Sequence, residues 1–429
     1  MVLSLVLSLL FLASSPAFVV GYSSVASSNN SNPASSSSSY SVAPGVLSAG
    51  PGSEQPSCSP SALCPSMLRT AYGFSKLFQS GVNGTGQTVV IVDACGYSSI
   101  SSDLQTFDSQ FHLPNPKFNV IDVEGKITNS TCESEWSVET ALDVEWAHVV
   151  APGASIDLLL TVNAGAQAMY DAWTYSLDHN LGNQISNSWG GAGCGVKGCN
   201  NTIGEGIGPC TLTNGTQGVH VTRILSEAAK QNVTILAAAG DYGAWGIDHA
   251  EEMVPADCPG VLTIGGTALI VQSDGKYVTE IGWSGSGGGY VTAPKEPSYQ
   301  KEAKIKDKFG TLAKPDVAAD ASCSTPVWVY VEGSWDGICG TSVATPLWSG
   351  FMADANQIRA DNGFSPAGFV NPFLYTVVYT NSTLYKNDFH DIKTGSNGWT
   401  AGKGWDPVTG LGSFVAPNLA QTLGDSKNA

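Results

Sequence analysis

The sequence predicts an α/β domain with a mostly parallel central sheet and helices on both faces. Short apolar segments that end in Gly, Ser or Asp recur along the chain, and segments of helical periodicity separate them. Strands that alternate with helices are typical of a parallel sheet that is buried on both sides. No break in composition divides residues 68–425. We therefore predict one large domain over residues 65–425, with its functional site at the carboxyl ends of the strands.

The strand segments follow one another in a regular order. The first is GQTVVIVDA (Gly86–Ala94), a buried strand after a Gly-rich turn, and SIDLLLTV, NQISNSWG, VTILAAAGD and VLTIGGTAL follow it. Helical patterns lie between them at Ser137–His148, Ala166–His179 and Val219–Gln231. Each pattern lies where a parallel sheet needs a crossover connection.

The N-terminal residues have the composition of an export signal followed by a spacer. Residues 1–22 have an apolar core followed by small residues, as in a signal peptide, although no Lys or Arg precedes the core. An uncleaved membrane anchor is the alternative, although the core is too short for a full span. Residues 23–64 are rich in Ser, Asn and Pro and predict a disordered spacer. No later segment is apolar enough to cross a bilayer.

The cysteines favour disulfides in an exported chain. There are ten, and none lies in a CxxC pair, which disfavours structural zinc. Cys323 and Cys339 bracket a predicted hairpin, so we expect them to pair. The partners of the other cysteines stay open. Asn-x-Ser/Thr sequons predict surface glycans where the host glycosylates, among them those at Asn83, Asn129, Asn200, Asn214, Asn232 and Asn381.

The charge balance excludes a nucleic-acid partner. Only 13% of the residues are charged, the net charge is −17, and the chain has no basic run. At acidic pH the carboxylates become neutral, so a chain with few basic residues avoids strong positive self-repulsion. The composition therefore suits a protein exposed to acid, and it equally suits any acidic secreted protein.

A nucleophilic serine is the first candidate for chemistry. The stretch GTSVATPLWSG (Gly340–Gly350) presents Ser342 at the start of an apolar helix. A serine hydroxyl needs a neighbouring base to become a strong nucleophile. The turn, together with Asp93 at the end of the first strand, resembles the subtilisins. Subtilisins place their histidine before a glycine, whereas none of the six histidines here precedes a glycine.

A carboxylate is the alternative base. Near pH 3–4 an imidazole stays protonated, whereas a carboxyl group has a pKa close to that pH. Glu139 and Asp143 are four residues apart, so they lie on one face of a helix and can share a proton. Glu135 and Glu139 have the same spacing. Spacing alone therefore leaves the pair open, and it also allows a solvated acidic face.

The motifs together resemble the sedolisins, the serine-carboxyl peptidases, which have a subtilisin-like three-layer fold. The run VETALDVEWAHVVAPGA resembles the catalytic helix of that family. The likeness extends in order through most of residues 66–418, in TAYGFSKLFQSGVNGTGQTVVIVDA, DLQTFDSQFHLP, QISNSWGG, ILAAAGDYGAW, VPADCPGVLTIGGT, WSGSGGGY, KPDVAADA and GTSVATPLWSG.

The resemblance implies roles for individual residues. Ser342 would be the nucleophile, Glu139 the general base, and Asp143 the group that orients Glu139. Asp241 in AAAGDYG would stabilise the oxyanion, for which an aspartate must be protonated because only that form donates a hydrogen bond. The strand that pairs with substrate would contain Ser186, Ser188, Trp189 and Gly190, and Trp189 would line a side-chain pocket.

The C-terminal region NDFHDIKTGSNGWTAGKGWDPVTGLGSF resembles the calcium loop of the same family. Calcium prefers six or more oxygen ligands from carboxylates, carbonyls and water. The likeness implies one structural Ca²⁺, held by Asp391, the carbonyls of Ile392, Gly402 and Gly404, and Asp406.

From these patterns we expect a secreted, monomeric endopeptidase that acts on proteins or peptides in acid. A tripeptidyl-peptidase of the same fold is one alternative, and an inactive surface binding protein is another. Most sedolisins carry a long folded propeptide, and residues 1–64 do not resemble one. The resemblance therefore leaves the control of activity open.

Overall fold

A computed structural model describes residues 43–44, 47–48, 55–96, 98–127, 135–192, 218–246, 253–305, 309–427 and 429. The compact unit that contains these residues runs from Ser39 to Ala429. The predicted signal segment 1–22 and the loop with Cys194, Cys199 and Cys210 lie outside the described residues. In the described ranges, no helix has the length and apolar character needed to cross a bilayer.

The strands are short except for β11. They are β1 (Ala43–Pro44), β2 (Leu47–Ser48), β3 (Thr88–Ala94), β4 (Phe118–Asp122), β5 (Ser155–Thr161), β6 (Gln184–Asn187), β7 (Trp189–Ala192), β8 (Thr234–Ala238), β9 (Ala244–Gly246), β10 (Met253–Val254), β11 (Val261–Val271), β12 (Tyr277–Gly282), β13 (Gly288–Lys295), β14 (Thr311–Lys314), β15 (Val317–Asp320), β16 (Val327–Val331), β17 (Ser334–Cys339), β18 (Phe389–His390) and β19 (Ser413–Phe414).

The helices alternate with the central strands. They are α1 (Pro65–Tyr72), α2 (Phe74–Gln79), α3 (Ile100–Phe111), α4 (Glu135–Val150), α5 (Ala166–His179), α6 (Gly218–Lys230), α7 (Ser298–Glu302), α8 (Thr341–Asp361), α9 (Asn371–Phe373), α10 (Ser382–Asp388) and α11 (Ala416–Gly424), with a π-helical segment at Leu374–Tyr379. The predicted helices at Ser137–His148, Ala166–His179 and Val219–Gln231 correspond to α4, α5 and α6.

The central sheet has the order β12-β11-β8-β6-β3-β5-β4, and β15 also pairs with β11. Every pairing on this sheet is parallel except that of β11 with β12. The mostly parallel sheet that the sequence predicts is therefore confirmed.

Both faces of this sheet are buried. Val89 and Ile91 of β3 pack into the larger core with residues of α4 and α8. Val90 and Val92 point the other way, into a second core with residues of α5 and α6. Successive side chains of a strand alternate between the faces, so a continuous apolar strand needs a helical layer on each side. The three-layer architecture follows from this burial.

The hairpin and its disulfide are also confirmed. Strands β16 and β17 pair antiparallel, and the Cys323–Cys339 disulfide joins the segment before β16 to the end of β17. Cys339 stands directly before the Gly340 turn. The disulfide therefore fixes the chain just ahead of Ser342.

The interpretation of residues 23–64 as a disordered spacer is wrong for part of that segment. Strands β1 and β2 lie inside it, and a Cys58–Cys64 disulfide closes a loop near its end. The amide of Leu63 then donates a hydrogen bond to the Pro326 carbonyl (2.7 Å). The disulfide and this backbone hydrogen bond hold residues 58–64, although the composition of these residues alone predicts no structure.

Candidate active site

The polar residues singled out in the sequence meet at the carboxyl ends of the parallel strands. Asp93 lies at the end of β3, Ser188 follows β6, and Asp241 lies just beyond β8. Ser342 lies in the first turn of α8, and α4 passes beside that helix. Ligands bind at this edge of α/β sheets.

The local sequence fixes the position of Ser342. Gly340 has φ +125°, a conformation that favours glycine, and it precedes the first residue of α8. The chain therefore turns sharply between β17 and α8, which places Ser342 at the helix start. Its Oγ donates a hydrogen bond to the Ser188 carbonyl (3.1 Å), and its exposed fraction is 0%.

Helices α4 and α8 pack in close contact because of Gly350. A Cβ at this position would lie 2.9 Å from the Ala147 carbonyl oxygen and would also overlap the Val150 side chain. Real Cβ atoms do not approach backbone oxygens so closely without a shift of the neighbour. The two helices that carry the candidate base and nucleophile are therefore in backbone contact.

Three buried carboxyl groups form a cluster beside Ser342. Glu139, Asp143 and Asp93 each have an exposed fraction of 0%. Burial is the main cause that raises the pKa of Glu139 well above its ordinary value, followed by repulsion from Asp143 and Asp93, while the Ser342 hydroxyl opposes the rise. Burial and then Asp93 likewise raise the pKa of Asp143, against the bond from Ser188. Carboxyl groups so close cannot all ionise.

Within this cluster, Asp143 has a hydrogen-bond partner, whereas Glu139 has none among the described residues. The Asp143 Oδ1 atom accepts from the Ser188 hydroxyl (2.7 Å). Neither oxygen of Glu139 has a partner of ordinary hydrogen-bond geometry among the described residues. The Ser342 hydroxyl lies close enough to influence the Glu139 carboxyl, but its own hydrogen bond goes to Ser188. A rotation of the Ser342 side chain would therefore be needed to make Glu139 its acceptor.

Asp241 is hydrogen bonded to Thr341, the residue before Ser342. Its Oδ1 accepts from the Thr341 amide (2.7 Å) and the Thr341 hydroxyl (2.9 Å). Its Oδ2 is buried and has no partner among the described residues. Burial raises the pKa of Asp241 to about 7, against the two bonds from Thr341. A protonated Oδ2 could therefore donate a hydrogen bond to a group beside Ser342.

The sequence did not predict the roles of two residues in this site, Thr341 and Asp93. Thr341 positions Asp241, and its hydroxyl also accepts from the Gly240 amide (3.0 Å). It lies inside the quoted GTSVATP turn, but spacing gives no sign of its partners. The sequence indicates only that Asp93 resembles the aspartate of the subtilisins, whereas in the structure it is fully buried beside Glu139 and Asp143. Burial raises its pKa to about 7, while the neighbouring Thr140 hydroxyl opposes the rise.

The residues of the predicted substrate strand lie in β6, in β7 and at Ser188 between them, and the structure corrects the expected role of Trp189. Ser186 and Ser188 are fully buried, and the backbone of β7 pairs with β1 at Trp189 and Gly190. The Trp189 indole, however, is 1% exposed and donates to the Val92 carbonyl (2.8 Å). It packs against Trp173 in the second core. The Trp189 side chain therefore belongs to the core and does not line an open pocket.

In the predicted metal loop, both aspartates accept hydrogen bonds from backbone amides of residues 402–404. The Gly404 amide donates to Asp391 (2.8 Å), and the Gly402 amide donates to Asp406 (3.0 Å). Asp391 also forms an ion pair with Lys393 (3.3 Å). The carbonyls of Ile392, Gly402 and Gly404 accept no hydrogen bond from any described residue.

The carboxylate and carbonyl oxygens of this loop are chemically suited to bind a hard cation. Carboxylate and carbonyl oxygens are the ligands that calcium prefers. In the described ranges, no set of three or more His, Cys, Asp or Glu side chains could hold a metal ion. The remaining oxygens would therefore come from the backbone.

Comparisons with known proteins agree with this architecture. The model of the subtilase family matches residues 123–395. Kumamolisin from Bacillus sp. (strain MN-32) is 31% identical over 392 residues, which cover 86% of this chain and 64% of kumamolisin. Tripeptidyl-peptidase 1 from Canis lupus familiaris is 32% identical over 232 residues, which cover 48% of this chain and 40% of that protein. The chain therefore spans less than two thirds of these relatives.

A solved structure extends the likeness to the whole fold. It is Pseudomonas sedolisin, a serine-carboxyl proteinase complexed with two molecules of pseudo-iodotyrostatin. The TM-score is 0.71 at 25% identity, and the match covers 86% of this chain and 100% of that one. The chain belongs to the subtilase family and has the subtilisin-like fold of the sedolisins, the serine-carboxyl peptidases.

Proposed function

We propose that this chain is a secreted, acid-acting serine-carboxyl peptidase that hydrolyses peptide bonds of proteins through an acyl-enzyme on Ser342. The observation that carries the proposal is the buried pair Glu139 and Asp143 beside Ser342. No described histidine is hydrogen bonded to Ser342. A carboxyl group is therefore the base that the site offers.

Each group has a defined task in this mechanism. Ser342 Oγ attacks the substrate carbonyl carbon while Glu139 takes its proton, and Glu139 later returns that proton to the leaving amine. Asp143 shares a proton with Glu139 and accepts a hydrogen bond from the Ser188 hydroxyl. The Asp241 Oδ2 and the Ser342 amide would donate hydrogen bonds to the oxyanion. One such donor contributes roughly 10²–10³ in kcat.

The electrostatics of the site favour work in acid. Asp241 can donate only while protonated, which holds below its pKa of about 7. Protonation of Asp93, Asp143 and Asp241 also removes the repulsion that raises the pKa of Glu139. In acid, a single negative charge can therefore stay on Glu139, where the Ser342 hydroxyl would stabilise it once it has rotated away from the Ser188 carbonyl.

An endopeptidase is favoured over a tripeptidyl-peptidase by the pairing of β1 with β7. Ala43 lies opposite Gly190, and the chain has 42 residues before Ala43. A site that accepts this pairing accepts a chain that continues in the N-terminal direction. Comparison of free with N-blocked peptides tests this choice, because a tripeptidyl-peptidase needs the free amine.

We further propose that one Ca²⁺ stabilises the C-terminal loop. Asp391, Asp406 and the carbonyls of Ile392, Gly402 and Gly404 would hold it. The free carbonyls and the convergence of both carboxylates on residues 402–404 support this assignment. The ion would have no part in the chemistry.

Two variants test the proposed function. Ser342→Ala and Glu139→Gln should each abolish cleavage of acid-denatured haemoglobin near pH 4 while the fold is retained. Matched controls are Ser349→Ala and Glu145→Gln. Ser349 lies on the same helix as Ser342 and donates to the Pro346 carbonyl (3.0 Å), and Glu145 lies on the same helix as Glu139 and accepts from the Tyr330 amide (3.1 Å). Activity retained in Ser342→Ala or Glu139→Gln would refute the assignment.

A further inference from the structure

A cavity of about 760 Å³ lies beside the C-terminal loop. Its lining residues come from β12, α10, β18 and the segment that follows β18. None of the four candidate catalytic residues, all of which the structure describes, lines this cavity. Ligand-binding pockets have volumes of about 300–1,000 Å³. The cavity therefore has the size of a ligand site and is separate from the candidate active site.

Three lysines line this cavity. Lys386 lies on α10, Lys393 follows β18, and Lys403 lies in the C-terminal loop. The chain as a whole has 36 Asp and Glu residues against 19 Lys and Arg residues, so its overall balance is acidic. A cleft lined by one sign of charge concentrates ligands of the opposite sign. This cavity therefore favours an anionic ligand.

One acidic residue also lines the cavity, and it already has a basic partner. Asp391 forms an ion pair with Lys393 (3.3 Å). Lys386 and Lys403, in contrast, form no ion pair with any residue in the described ranges. Three lysines and one aspartate give the lining a net charge of +2, with His390 counted as neutral. An anionic ligand would supply partners for Lys386 and Lys403.

The rest of the lining combines aromatic rings with small polar groups. Phe389 is buried, and the Tyr277 and His390 rings stack with their centroids 3.9 Å apart. Exposed side chains add hydroxyl and amide groups, at Ser382, Thr383 and Asn387. Ligand pockets use a few polar groups to orient a ligand on an apolar surface. A sugar has both apolar C–H faces and hydroxyl groups, so this lining suits it.

We propose that the cavity binds an acidic oligosaccharide, a short chain of sugars with carboxylate or sulfate groups. The anionic groups contact Lys386, Lys393 and Lys403, and the sugar rings pack on the aromatic side chains. This binding would attach the chain to a polysaccharide that carries such groups. It does not depend on the chemistry at Ser342.

A nucleic acid fits this surface less well. Its phosphates extend along a continuous track, whereas the sequence has no basic run and the net charge of the chain is −17. The acidic surface outside the cavity would therefore repel a long polyanion. A short acidic sugar places its charges only where the three lysines converge.

The test uses the full chain with Ser342→Ala and isothermal titration calorimetry at pH 5 in low salt. The probes are a galacturonate hexamer, a sulfated hexasaccharide and neutral maltohexaose. Each anionic probe should bind about tenfold more tightly than maltohexaose, because exposed ion pairs contribute modest gains that add together. Salt at about 0.5 M should remove most of this difference, because it screens charges beyond a few Å.

Two matched pairs of substitutions test the location. Lys386→Gln with Lys403→Gln should weaken the binding of both anionic probes by about tenfold and leave maltohexaose binding unchanged. The control pair, Lys301→Gln with Lys304→Gln, changes two exposed lysines that do not line the cavity, so it alters the net charge equally. It should retain the original affinity. The bound hexamer should also slow hydrogen exchange of the amides in residues 386–393 and 402–404.

The outcomes decide between the ligands and the places. Binding of either anionic hexamer supports the site, and the tighter one identifies the preferred anionic group. Equal losses in the two pairs of variants would overturn the location, because the effect would then come from net charge alone. Tighter binding of a thymidine hexanucleotide than of both anionic sugars would overturn the sugar assignment. Failure of both anionic probes to bind, with the fold intact by urea denaturation, would overturn the inference, whereas haemoglobin cleavage by the wild type would still support the peptidase.

Discussion

The buried carboxyl cluster makes the stability of the fold depend on pH, and Asp93→Asn isolates one part of that dependence. The pKa of Asp93 rises from 3.8 to about 7 in the folded state, chiefly because the group is buried. The contribution of the protonated Asp93 carboxyl group to the free energy of unfolding is therefore fully present below about pH 4. It is lost as the pH rises to about 7. One pH unit in this window corresponds to about 1.4 kcal/mol, or about 4 kcal/mol from pH 4 to pH 7.

Asparagine does not titrate, so the substitution removes the pH-dependent contribution of Asp93 to the free energy of unfolding. The free energy of unfolding of Asp93→Asn minus that of the wild type should increase by about 4 kcal/mol from pH 4 to pH 7. Urea denaturation at each pH measures it. Thr140→Val should act in the opposite direction, because the Thr140 hydroxyl holds the Asp93 pKa down. A difference that stays constant between pH 4 and pH 7 would refute the reasoning.

Two further predictions concern the calcium loop and the oxyanion donor. A chelator should lower the Tm by roughly 3 °C if calcium is present at about 100 times its Kd, and Asp406→Asn should remove most of this response. An equal response in the variant would contradict the ligand assignment. The wild-type activity should fall as the pH rises through about 7, because Asp241 ionises. Asp241→Asn should shift this decline to higher pH, since an amide donates at any pH, and a profile with an unchanged alkaline limb would argue against the donor role of Asp241.

Much of the fold could be predicted because it depends on local patterns. Helix α5 has the bounds that its periodicity predicts, Ala166–His179, and the first predicted strand contains β3. The Cys323–Cys339 disulfide was predictable because both residues flank a single hairpin. These features depend on residues close together in the sequence.

The remaining features depend on contacts between distant segments. The pairing of β1 with β7 could not be predicted, because a segment of Ser, Ala, Pro and Gly has no periodicity and the register is set by the partner strand. Trp189 was misplaced because its neighbours in sequence do not show which face of the sheet it joins. The environment of Asp93 arises from α4, which follows it by more than 40 residues.

The contact at Gly350 has a mechanical consequence for the chemistry. Because α4 and α8 touch through their backbones, the two helices can neither slide nor separate without a break in this contact. The contact at Gly350 therefore sets the distance between Glu139 on α4 and the Ser342 hydroxyl on α8, although Gly350 lies eight residues after Ser342. The contact is possible only because glycine has no Cβ atom. The precision of the reaction depends on a residue that touches neither substrate nor proton.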